Sequence, residues 1–264
     1  MEWSKVKEFE DIKYEKAERI AKVTINRPKK MNAFRGKTIV EMIDAFRDAA
    51  DDDNIMAVIL TGAGDRAFSA GGDVEAEIDW GKGEKPPPME TLFRLIRTAP
   101  KPVIAMVNGY SIGGGNVLAT LCDITIASEN AIFGQVGPKM GSFAGGFGTA
   151  YLARLVGEKK AREMWFFCRQ YSAKEALDMG LANKVVPPEK LEEETVSWCK
   201  ELTYMAPSMI KACKVTFNAD TDHIHSIADL SAQYVMAYYG TEESVEMHHA
   251  MLEKRPPDFS KVEK

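Results

Sequence analysis

Two short apolar runs, each followed closely by a glycine cluster, constrain the fold of this chain most strongly. The runs are Met56–Leu60 and Pro102–Val107, and the clusters are Ala67–Asp73 and Gly109–Asn116. Continuous apolar runs of this length are typical of strands that are buried on both faces, as in a parallel sheet. Two further apolar stretches lie at 123–127 and 131–133, before a third glycine-rich segment at 141–149. The pattern therefore predicts an α/β core.

Helical patterns separate these predicted strands. Apolar residues recur at 3.6-residue spacing over residues 36–50, which predicts an amphipathic helix. Further helical stretches lie at 89–98 and 114–121, and residues 12–14 and 20–25 predict a β-hairpin near the N-terminus.

From residue 158 onward the pattern is mostly helical. A short strand is predicted at 182–186, and the Gly-, Pro- and charge-rich residues 80–89 are interpreted as a mobile loop. The chain therefore reads as an α/β core followed by a helical C-terminal part. The predicted helices are 158–167, 173–179, 188–204, 207–217, 224–238 and 241–254.

Composition narrows the class of protein. The 264 residues are 45% hydrophobic and 28% charged, which is typical of a globular protein with a sizeable core. No apolar run approaches the roughly 20 residues of a membrane helix, and the polar N-terminus does not resemble a secretory signal. A net charge of −5 without a long basic run argues against nucleic acid as a partner. Scattered cysteines without CxxC pairs indicate reduced thiols in a cytoplasmic protein: Cys122, Cys168, Cys199 and Cys213.

The glycine clusters have three interpretations. Glycine after a buried strand lets the backbone approach a ligand and turns N–H groups toward it, and a helix that starts at Gly113–Gly115 would add its positive dipole. Two such donors that converge on one point form an oxyanion hole. Each cluster alone is equally compatible with a tight strand-to-helix turn. A dinucleotide site is weakly supported, because no GxGxxG precedes an acidic residue at the required distance.

Taken together, the ordered motifs resemble the crotonase (enoyl-CoA hydratase/isomerase) superfamily across nearly the whole chain. The resemblance is specific because the motifs occur as an ordered set. They are Ile25–Pro28, Met31–Phe34, Ala67–Asp73, Lys101–Val103, Gly109–Gly115, Cys122–Asp123, Ile132–Gln135 and Ala176–Leu181.

This resemblance implies a fold of repeated ββα units with a helical C-terminal trimerisation region. It implies an α/β core over residues 1–200 and an oligomerisation and active-site cover region over 201–264. It also implies a CoA thioester as substrate, no permanently bound cofactor, and a homo-oligomer, either a trimer or a hexamer. In this family the oxyanion hole is formed by the backbone amides that correspond to Gly72 and Gly114.

The branch of the family that this chain resembles is indicated by positions at which its residues differ from those of the hydratases. The two hydratase glutamates correspond to Val117 and Gly137, so hydration by that pair is not expected. Several segments instead resemble 1,4-dihydroxy-2-naphthoyl-CoA synthase, which closes a ring by a Dieckmann-type condensation: 134–142, 157–165, 168–171, 217–222 and 253–259.

Three segments resemble a close relative of that synthase, 2-ketocyclohexanecarboxyl-CoA hydrolase, which opens a β-keto thioester ring with water. They are Met31–Gly36, Gly113–Thr120 and Gly134–Ser142. We favour the hydrolase and keep the synthase as the alternative.

Both relatives carry an aspartate at the position of Ala144. Alanine cannot transfer a proton. Therefore either another residue performs the proton transfer of that aspartate, or the activity has changed, or the chain is an impaired or engineered CoA-thioester-binding homologue. Relocated bases could be drawn from five residues, which are equally interpretable as solvated surface groups: Glu75, Glu77, Asp79, His223 and His225.

The resemblance implies further site residues. Ser142 corresponds to a serine that hydrogen-bonds substrate, and Tyr239 to a tyrosine that donates to a developing enolate. Gln135, Gly137 and Trp165 correspond to a pocket that holds bicarbonate as a surrogate base in one class of synthases. The loop tyrosine of the synthases has no clear equivalent, and Trp80 is the nearest aromatic residue; Asp73 is expected to cap the following helix rather than act as a base.

The remaining expectations concern CoA. Backbone groups at Ala33, Phe68 and Ala70 would hold it, and basic side chains would meet its phosphates. The near candidates are Lys29, Lys30 and Arg35, and Lys254 and Arg255 could come from an adjoining subunit. Each is equally interpretable as an ordinary surface charge.

Overall fold

The computed structural model describes residues 1–73 and 88–262. Within these ranges the strands are β1 Ser4–Lys7, β2 Ile12–Ala17, β3 Ile20–Ile25, β4 Ala57–Gly62, β5 Ala67–Ser69, β6 Val103–Val107, β7 Tyr110–Ile112, β8 Ile124–Ser128, β9 Ile132–Gly134, β10 Gln170–Ser172 and β11 Lys184–Val186. The α-helices are α1 Gly36–Asp51, α2 Met89–Thr98, α3 Gly114–Leu121, α4 Gly137–Met140, α5 Ala150–Val156, α6 Glu158–Phe166, α7 Ala173–Asp178, α8 Leu191–Leu202, α9 Pro207–Ala219, α10 Ile224–Tyr238 and α11 Glu242–Leu252.

Two sheets organise the described residues. The larger has the order β1-β2-β3-β4-β6-β8-β11, antiparallel from β1 to β3 and parallel from β3 to β11. The smaller has the order β10-β9-β7-β5, in which β5, β7 and β9 are parallel and β10 is antiparallel. The predicted hairpin is confirmed as β2 and β3, and the predicted buried strands as β4, β6 and β8.

The large sheet is buried on both faces because its central strands are apolar at every position. Val58 and Leu60 of β4 pack in one apolar cluster with α1 and α2, whereas Ala57 and Ile59 pack in a second cluster with α8. This alternation is what a period-2 strand produces when both faces are covered. The mixed α/β class with a parallel sheet is therefore confirmed.

Several predicted boundaries match the structure. Helices 89–98, 114–121 and 224–238 have the predicted limits, and helix 188–204 is shorter, because residues 188–190 form a 3₁₀ turn before α8. The predicted loop 80–89 lies largely outside the described residues, and Met89 already belongs to α2. In the described part of the chain no helix is long and apolar enough to cross a membrane. The four cysteines are free thiols.

Candidate active site

Two glycine turns meet at the edge of the small sheet. β5 and β7 are parallel neighbours, so the turns that follow them, at Gly71 and at Gly113–Gly114, emerge side by side. Gly71 has a φ of +96°, which side-chain-bearing residues rarely adopt. A Cβ placed on Gly71 would lie 2.9 Å from the amide nitrogen of Gly114. The two turns are therefore in direct contact.

The amide of Gly72 is directed away from its neighbouring strand. Gly72 forms a parallel bridge with Phe34, in which Phe34 N–H donates to Gly71 O (2.8 Å) and Asp73 N–H donates to Phe34 O (2.9 Å). In a parallel ladder these two bonds use the flanking peptide groups, so the Gly72 N–H points to the other side. It has no acceptor among the described residues.

The amide of Gly114 is also left without an acceptor in the described part of the chain. Gly114 is the first residue of α3, where backbone N–H groups have no intrahelical partner. Gly72 and Gly114 are only partly buried, whereas Gly71 and Gly115 beside them are buried. The two turns thus carry two neighbouring, partly exposed amides that have no acceptor among the described residues; their convergence on one thioester oxygen remains a prediction.

Polar contacts fix the segment that carries Phe34. Asn32, which is buried, donates through Nδ2 to the Ala67 carbonyl at 2.6 Å, and Ala70 N–H donates to the Met31 carbonyl at 3.0 Å. The residues predicted to hold CoA through their backbones, Ala33, Phe68 and Ala70, lie along this junction. Asp73 pairs with Arg27 (Oδ2 to Nη2, 2.8 Å), and the helix that Asp73 was expected to cap falls outside the described residues.

The positions that correspond to acids in the resembled enzymes lie close together in one group of residues, the Trp165 wall, which consists of Val117, Gly137, Ala144, Gly148 and Trp165. A Cβ on Gly148 would lie 3.0 Å from Val117 Cγ2 and 3.1 Å from Ala144 Cβ. The same Cβ would lie 3.2 Å from Trp165 Cζ2, and a Cβ on Gly137 would lie 2.8 Å from Trp165 Cζ3. Val117, Gly137 and Ala144 are thus brought together by Trp165 and Gly148. None of the three positions supplies a carboxylate.

Gln135, two residues before Gly137, has an unusual environment. It is 1% exposed, and neither its Oε1 nor its Nε2 has a hydrogen-bond partner among the described residues. Leaving a buried amide unsatisfied costs about 1–3 kcal/mol, so this amide is suited to bind a polar ligand. The indole of Trp165 is already used, because its Nε1 donates to the Gly148 carbonyl.

The C-terminal helices bring a tyrosine to the third glycine segment. Tyr238 Oη would lie 3.2 Å from a Cβ on Gly141, directly before Ser142, which is half-buried. Tyr239, the residue identified from the sequence, stacks on the His248 ring at 6.4 Å. The sequence analysis missed Tyr238, and only its place beside Tyr239 could have indicated it. The roles of Ser142 and Tyr239 stay predictions.

The basic residues proposed for CoA phosphates differ in their surroundings. Lys29, Lys30 and Lys254 are exposed. Arg35 forms a two-pronged pair with Asp11 (Nε–Oδ2 2.8 Å, Nη2–Oδ1 2.9 Å), and Arg255 pairs with two glutamates, Glu246 and Glu253. The two arginines therefore have carboxylate partners that compete with any phosphate.

Of the candidate bases predicted from the sequence, only the two histidines lie within the described residues. Glu75, Glu77, Asp79 and the nearby Trp80 lie outside the described residues. His223 is exposed. His225 packs edge-on against Phe147 at 4.8 Å, its Nδ1 is buried without a partner, and burial lowers its pKa.

Comparison with known proteins agrees with this geometry. Residues 15–262 match the enoyl-CoA hydratase/isomerase family. A carnitinyl-CoA hydratase from Mycobacterium avium is 31% identical over 94% of this chain and 97% of its own, with a TM-score of 0.84. An enoyl-CoA hydratase from Mycobacterium avium subsp. paratuberculosis is 28% identical over 96% of this chain and 99% of its own, with a TM-score of 0.85.

An enoyl-CoA hydratase/isomerase from Pseudoalteromonas atlantica is 25% identical over 95% of this chain and 100% of its own, with a TM-score of 0.88. The match thus extends from the second strand to the C-terminal turn, and it includes both glycine turns and the wall around Trp165. The chain belongs to the enoyl-CoA hydratase/isomerase (crotonase) family of acyl-CoA enzymes.

Proposed function

We propose that this enzyme hydrolyses a C–C bond in a cyclic β-keto acyl-CoA, as 2-ketocyclohexanecarboxyl-CoA hydrolase does. The observation that carries the proposal is the pair of adjacent, acceptor-free amides at Gly72 and Gly114. Two preorganised donors stabilise the oxyanion of a thioester enolate, and removing one such donor typically costs about 2.7–4 kcal/mol.

In the proposed reaction, the oxygen of water bonds to the ring ketone carbon. The tetrahedral adduct then collapses, the bond between that carbon and the thioester α-carbon breaks, and its electron pair forms the enolate held by Gly72 and Gly114. A proton returns to the α-carbon. The products are a carboxylic acid at one end of the opened chain and a CoA thioester at the other.

Two residues beside Trp165 argue against hydration. The glutamate pair of the family's hydratases corresponds to Val117 and Gly137, and neither residue carries an acid. Ala144 does not favour either reaction type, because both C–C-bond enzymes that the chain resembles carry an aspartate there.

The second candidate is the reverse type of reaction, ring closure by a 1,4-dihydroxy-2-naphthoyl-CoA synthase. The unsatisfied Gln135 amide favours it, since this residue, with Gly137 and Trp165, corresponds to the bicarbonate pocket of some synthases. The residues fit that anion: Nε2 can donate to a bicarbonate oxygen, Oε1 can accept from its hydroxyl, and the residue at 137 has no side chain. When bound, bicarbonate supplies a basic oxygen that Ala144 lacks.

The remaining site residues complete the proposal. The backbones of Ala33, Phe68 and Ala70 would hold CoA, and the exposed Lys29 and Lys30 would meet its phosphates. Ser142 and Tyr239 would donate hydrogen bonds to the acyl group, which for Tyr239 requires a subunit arrangement beyond one chain.

A homo-oligomer, either a trimer or a hexamer, is proposed with residues 201–264 as its contact region. Large apolar side chains exposed on this part of one chain support this, because surfaces of this kind mark interfaces. They include Tyr204, Met209, Phe217, Leu230 and Tyr234.

Product analysis tests the function. The purified enzyme is incubated with 2-ketocyclohexanecarboxyl-CoA and, separately, with the aromatic CoA thioester whose second ring is still open, and products are identified by mass spectrometry. Pimeloyl-CoA is expected under the primary proposal and a naphthoyl-CoA under the second. Turnover of crotonyl-CoA at hydratase-like rates contradicts both. Binding of CoA thioesters without any product indicates an impaired homologue, for which restoring the acid by Ala144→Asp is the decisive variant.

A matched pair of variants tests the oxyanion donors. Gly114→Pro removes the amide hydrogen at the first helical position, where proline is well tolerated. Gly114→Ala keeps that hydrogen but adds a comparable Cβ, which would lie 2.6 Å from Phe34 Cζ. We expect kcat to fall by about 10²–10³ more in the proline variant than in the alanine variant. Equal losses would contradict the role of this amide.

A further inference from the structure

A carboxyl oxygen in the first turn of α2 is buried and has no partner among residues 1–73 and 88–262. Glu90 is half-buried, and its Oε2 is shielded from solvent but makes no hydrogen bond with these described residues. Burial, and after it the Asp229 carboxylate, raise the pKa of Glu90 to about 7, while Arg94 acts in the opposite direction. Glu90 therefore takes up and releases a proton near neutral pH, where general acids and bases are most effective.

Two contacts link α2 to α10 and to the turn at residues 146–148. Arg94, one turn after Glu90, lies 3.4 Å from Asp229 of α10 (Nη2 to Oδ2). Phe93, three residues after Glu90 and therefore on a neighbouring part of the helix surface, packs edge-on against Phe147, with ring centroids 6.2 Å apart. Phe147 belongs to the turn at residues 146–148, which also forms the wall described above.

α10 packs on the two glycines that directly follow Ala144. Ser231 Oγ accepts a hydrogen bond from Gly145 N–H at 2.7 Å. A Cβ on Gly146 would lie 2.7 Å from Ala228 Cβ. These two α10 residues bracket the aspartate that pairs with α2. The first turn of α2 and the segment around Ala144 thus contact the same short stretch of α10.

α2 also packs against α3, the helix that begins with an amide of the candidate oxyanion pair. Its buried residues Leu92, Phe93 and Ile96 belong to the same apolar cluster as Val117 and Leu118 of α3. The helix that carries Glu90 therefore contacts both sides of the site: α3, which begins with Gly114, and the stretch of α10 that packs on the glycines after Ala144.

We propose that Glu90 is the proton-transfer residue of this enzyme and performs the role that Ala144 cannot. The inference rests on the proposed function. As water adds to the ring ketone, its proton passes to the Glu90 carboxylate and its hydroxyl bonds to the carbonyl carbon. After the C–C bond breaks, Glu90 returns that proton to the α-carbon of the enolate and is again ionised.

Isosteric replacement tests this role. Glu90→Gln cannot transfer a proton, and we expect its kcat to fall by about 10²–10⁴, with unchanged affinity for pimeloyl-CoA and loss of the limb near pH 7 in the rate profile. Glu90→Asp, which keeps a carboxyl group, should retain that limb. Ala144→Asp placed in the Glu90→Gln background should restore turnover. The control is Glu189→Gln, which alters an exposed glutamate outside the site.

A second assay separates this inference from the ring substrate. Exchange of the α-hydrogens of pimeloyl-CoA with deuterium oxide, followed by mass spectrometry, measures proton transfer at the α-carbon alone. If the unaltered enzyme exchanges these hydrogens and Glu90→Gln does not, the result supports Glu90 as the proton-transfer residue, whether or not a cyclic thioester is opened. Failure to open the cyclic thioester would then reject only the hydrolase proposal. The role of Glu90 is overturned if Glu90→Gln exchanges the α-hydrogens as fast as the unaltered enzyme, or if it keeps the same kcat and the same limb near pH 7. The role is also overturned if the unaltered enzyme shows neither exchange nor turnover.

Discussion

Gly71 leaves no space for a side chain beside Gly114, since a Cβ on Gly71 would lie 2.9 Å from the Gly114 amide nitrogen. The close approach of these two turns is what places the two acceptor-free amides next to each other. The smallest change that separates them is therefore one methyl group at position 71.

We expect Gly71→Ala to lose most acyl-CoA turnover while the protein remains folded, because the new Cβ pushes the Gly114 turn away from Gly72. Gly157→Ala is the matched control: Gly157 also has a positive φ, +82°, but nothing lies within 4 Å of its Cβ position. Both substitutions place a side chain at a positive φ, and Gly71→Ala adds the steric clash, so we expect it to lower the thermal unfolding temperature more than Gly157→Ala while both proteins remain folded. Steady-state kinetics that change equally in the two variants would contradict the proposal.

The longer strands and helices of the fold could be predicted from the sequence because their apolar residues follow a clear pattern. β4 and β6 are continuous apolar runs, and α1 has an apolar stripe, so none of the three needs knowledge of its neighbours to be identified. The two strands that carry the glycine turns, β5 and β7, have only three residues each, too few for a period to emerge. They form because they pair with each other.

The same distinction holds at the candidate site. Gly72 and Gly114 were identified because glycine clusters after strands leave a local signal. Glu90 and Tyr238 leave none: the surroundings of each depend on long-range packing, such as the contact of Arg94 with Asp229 across 135 residues of sequence. A half-buried carboxyl group becomes recognisable only when the helices around it are in place.

A buried lysine links α9 to the sheet, and replacing it should destabilise the protein. Lys214, which is buried, reaches the exposed Asp123 at 2.6 Å and also donates to the carbonyls of Ile96 and Lys101. Lys214→Met removes the donor of these two carbonyls, and we expect a loss of about 1–3 kcal/mol in the free energy of unfolding by urea. Lys211→Met, on an exposed position of the same helix, should change it by less than about 0.5 kcal/mol.

Acid should weaken the N-terminal hairpin through Asp11. Burial alone would raise the pKa of Asp11, but the Arg35 guanidinium and the Thr38 hydroxyl bring it below its ordinary value. Because the pKa is lower in the folded state, this carboxylate stabilises the protein above its unfolded pKa, and the stabilisation disappears as pH falls through the folded pKa. Asp11→Asn should therefore lose stability at pH 6, and progressively less as the pH falls below the unfolded pKa of about 3.9. The exposed Asp65→Asn should show no such dependence in the same thermal melts.

Bicarbonate should affect turnover if the enzyme is the ring-closing synthase and Gln135 holds the anion. Under that second candidate we expect kcat to rise and saturate as bicarbonate is added to carbon dioxide-depleted buffer, because the anion supplies a base near Val117, Gly137 and Ala144, which carry no carboxylate. Gln135→Leu, which has a similar volume and no polar atoms, should abolish the dependence while the fold persists. A rate that is independent of bicarbonate in the unaltered enzyme would reject the anion and leave Glu90 as the base.

The titration of Glu90 predicts a stability effect that requires no substrate. Its pKa rises to about 7 in the folded protein through burial and the nearby Asp229 carboxylate, whereas an exposed glutamate titrates near about 4.3. A group whose folded pKa is raised loses its stabilising contribution as pH increases from the unfolded to the folded value, here between about 4.3 and 7. Glu90→Gln does not ionise, so its Tm minus that of the unaltered protein should increase between pH 5 and pH 8. The exposed Glu189→Gln should keep a constant difference over that range, and a constant difference for Glu90→Gln as well would show that Glu90 titrates as an ordinary surface carboxyl group.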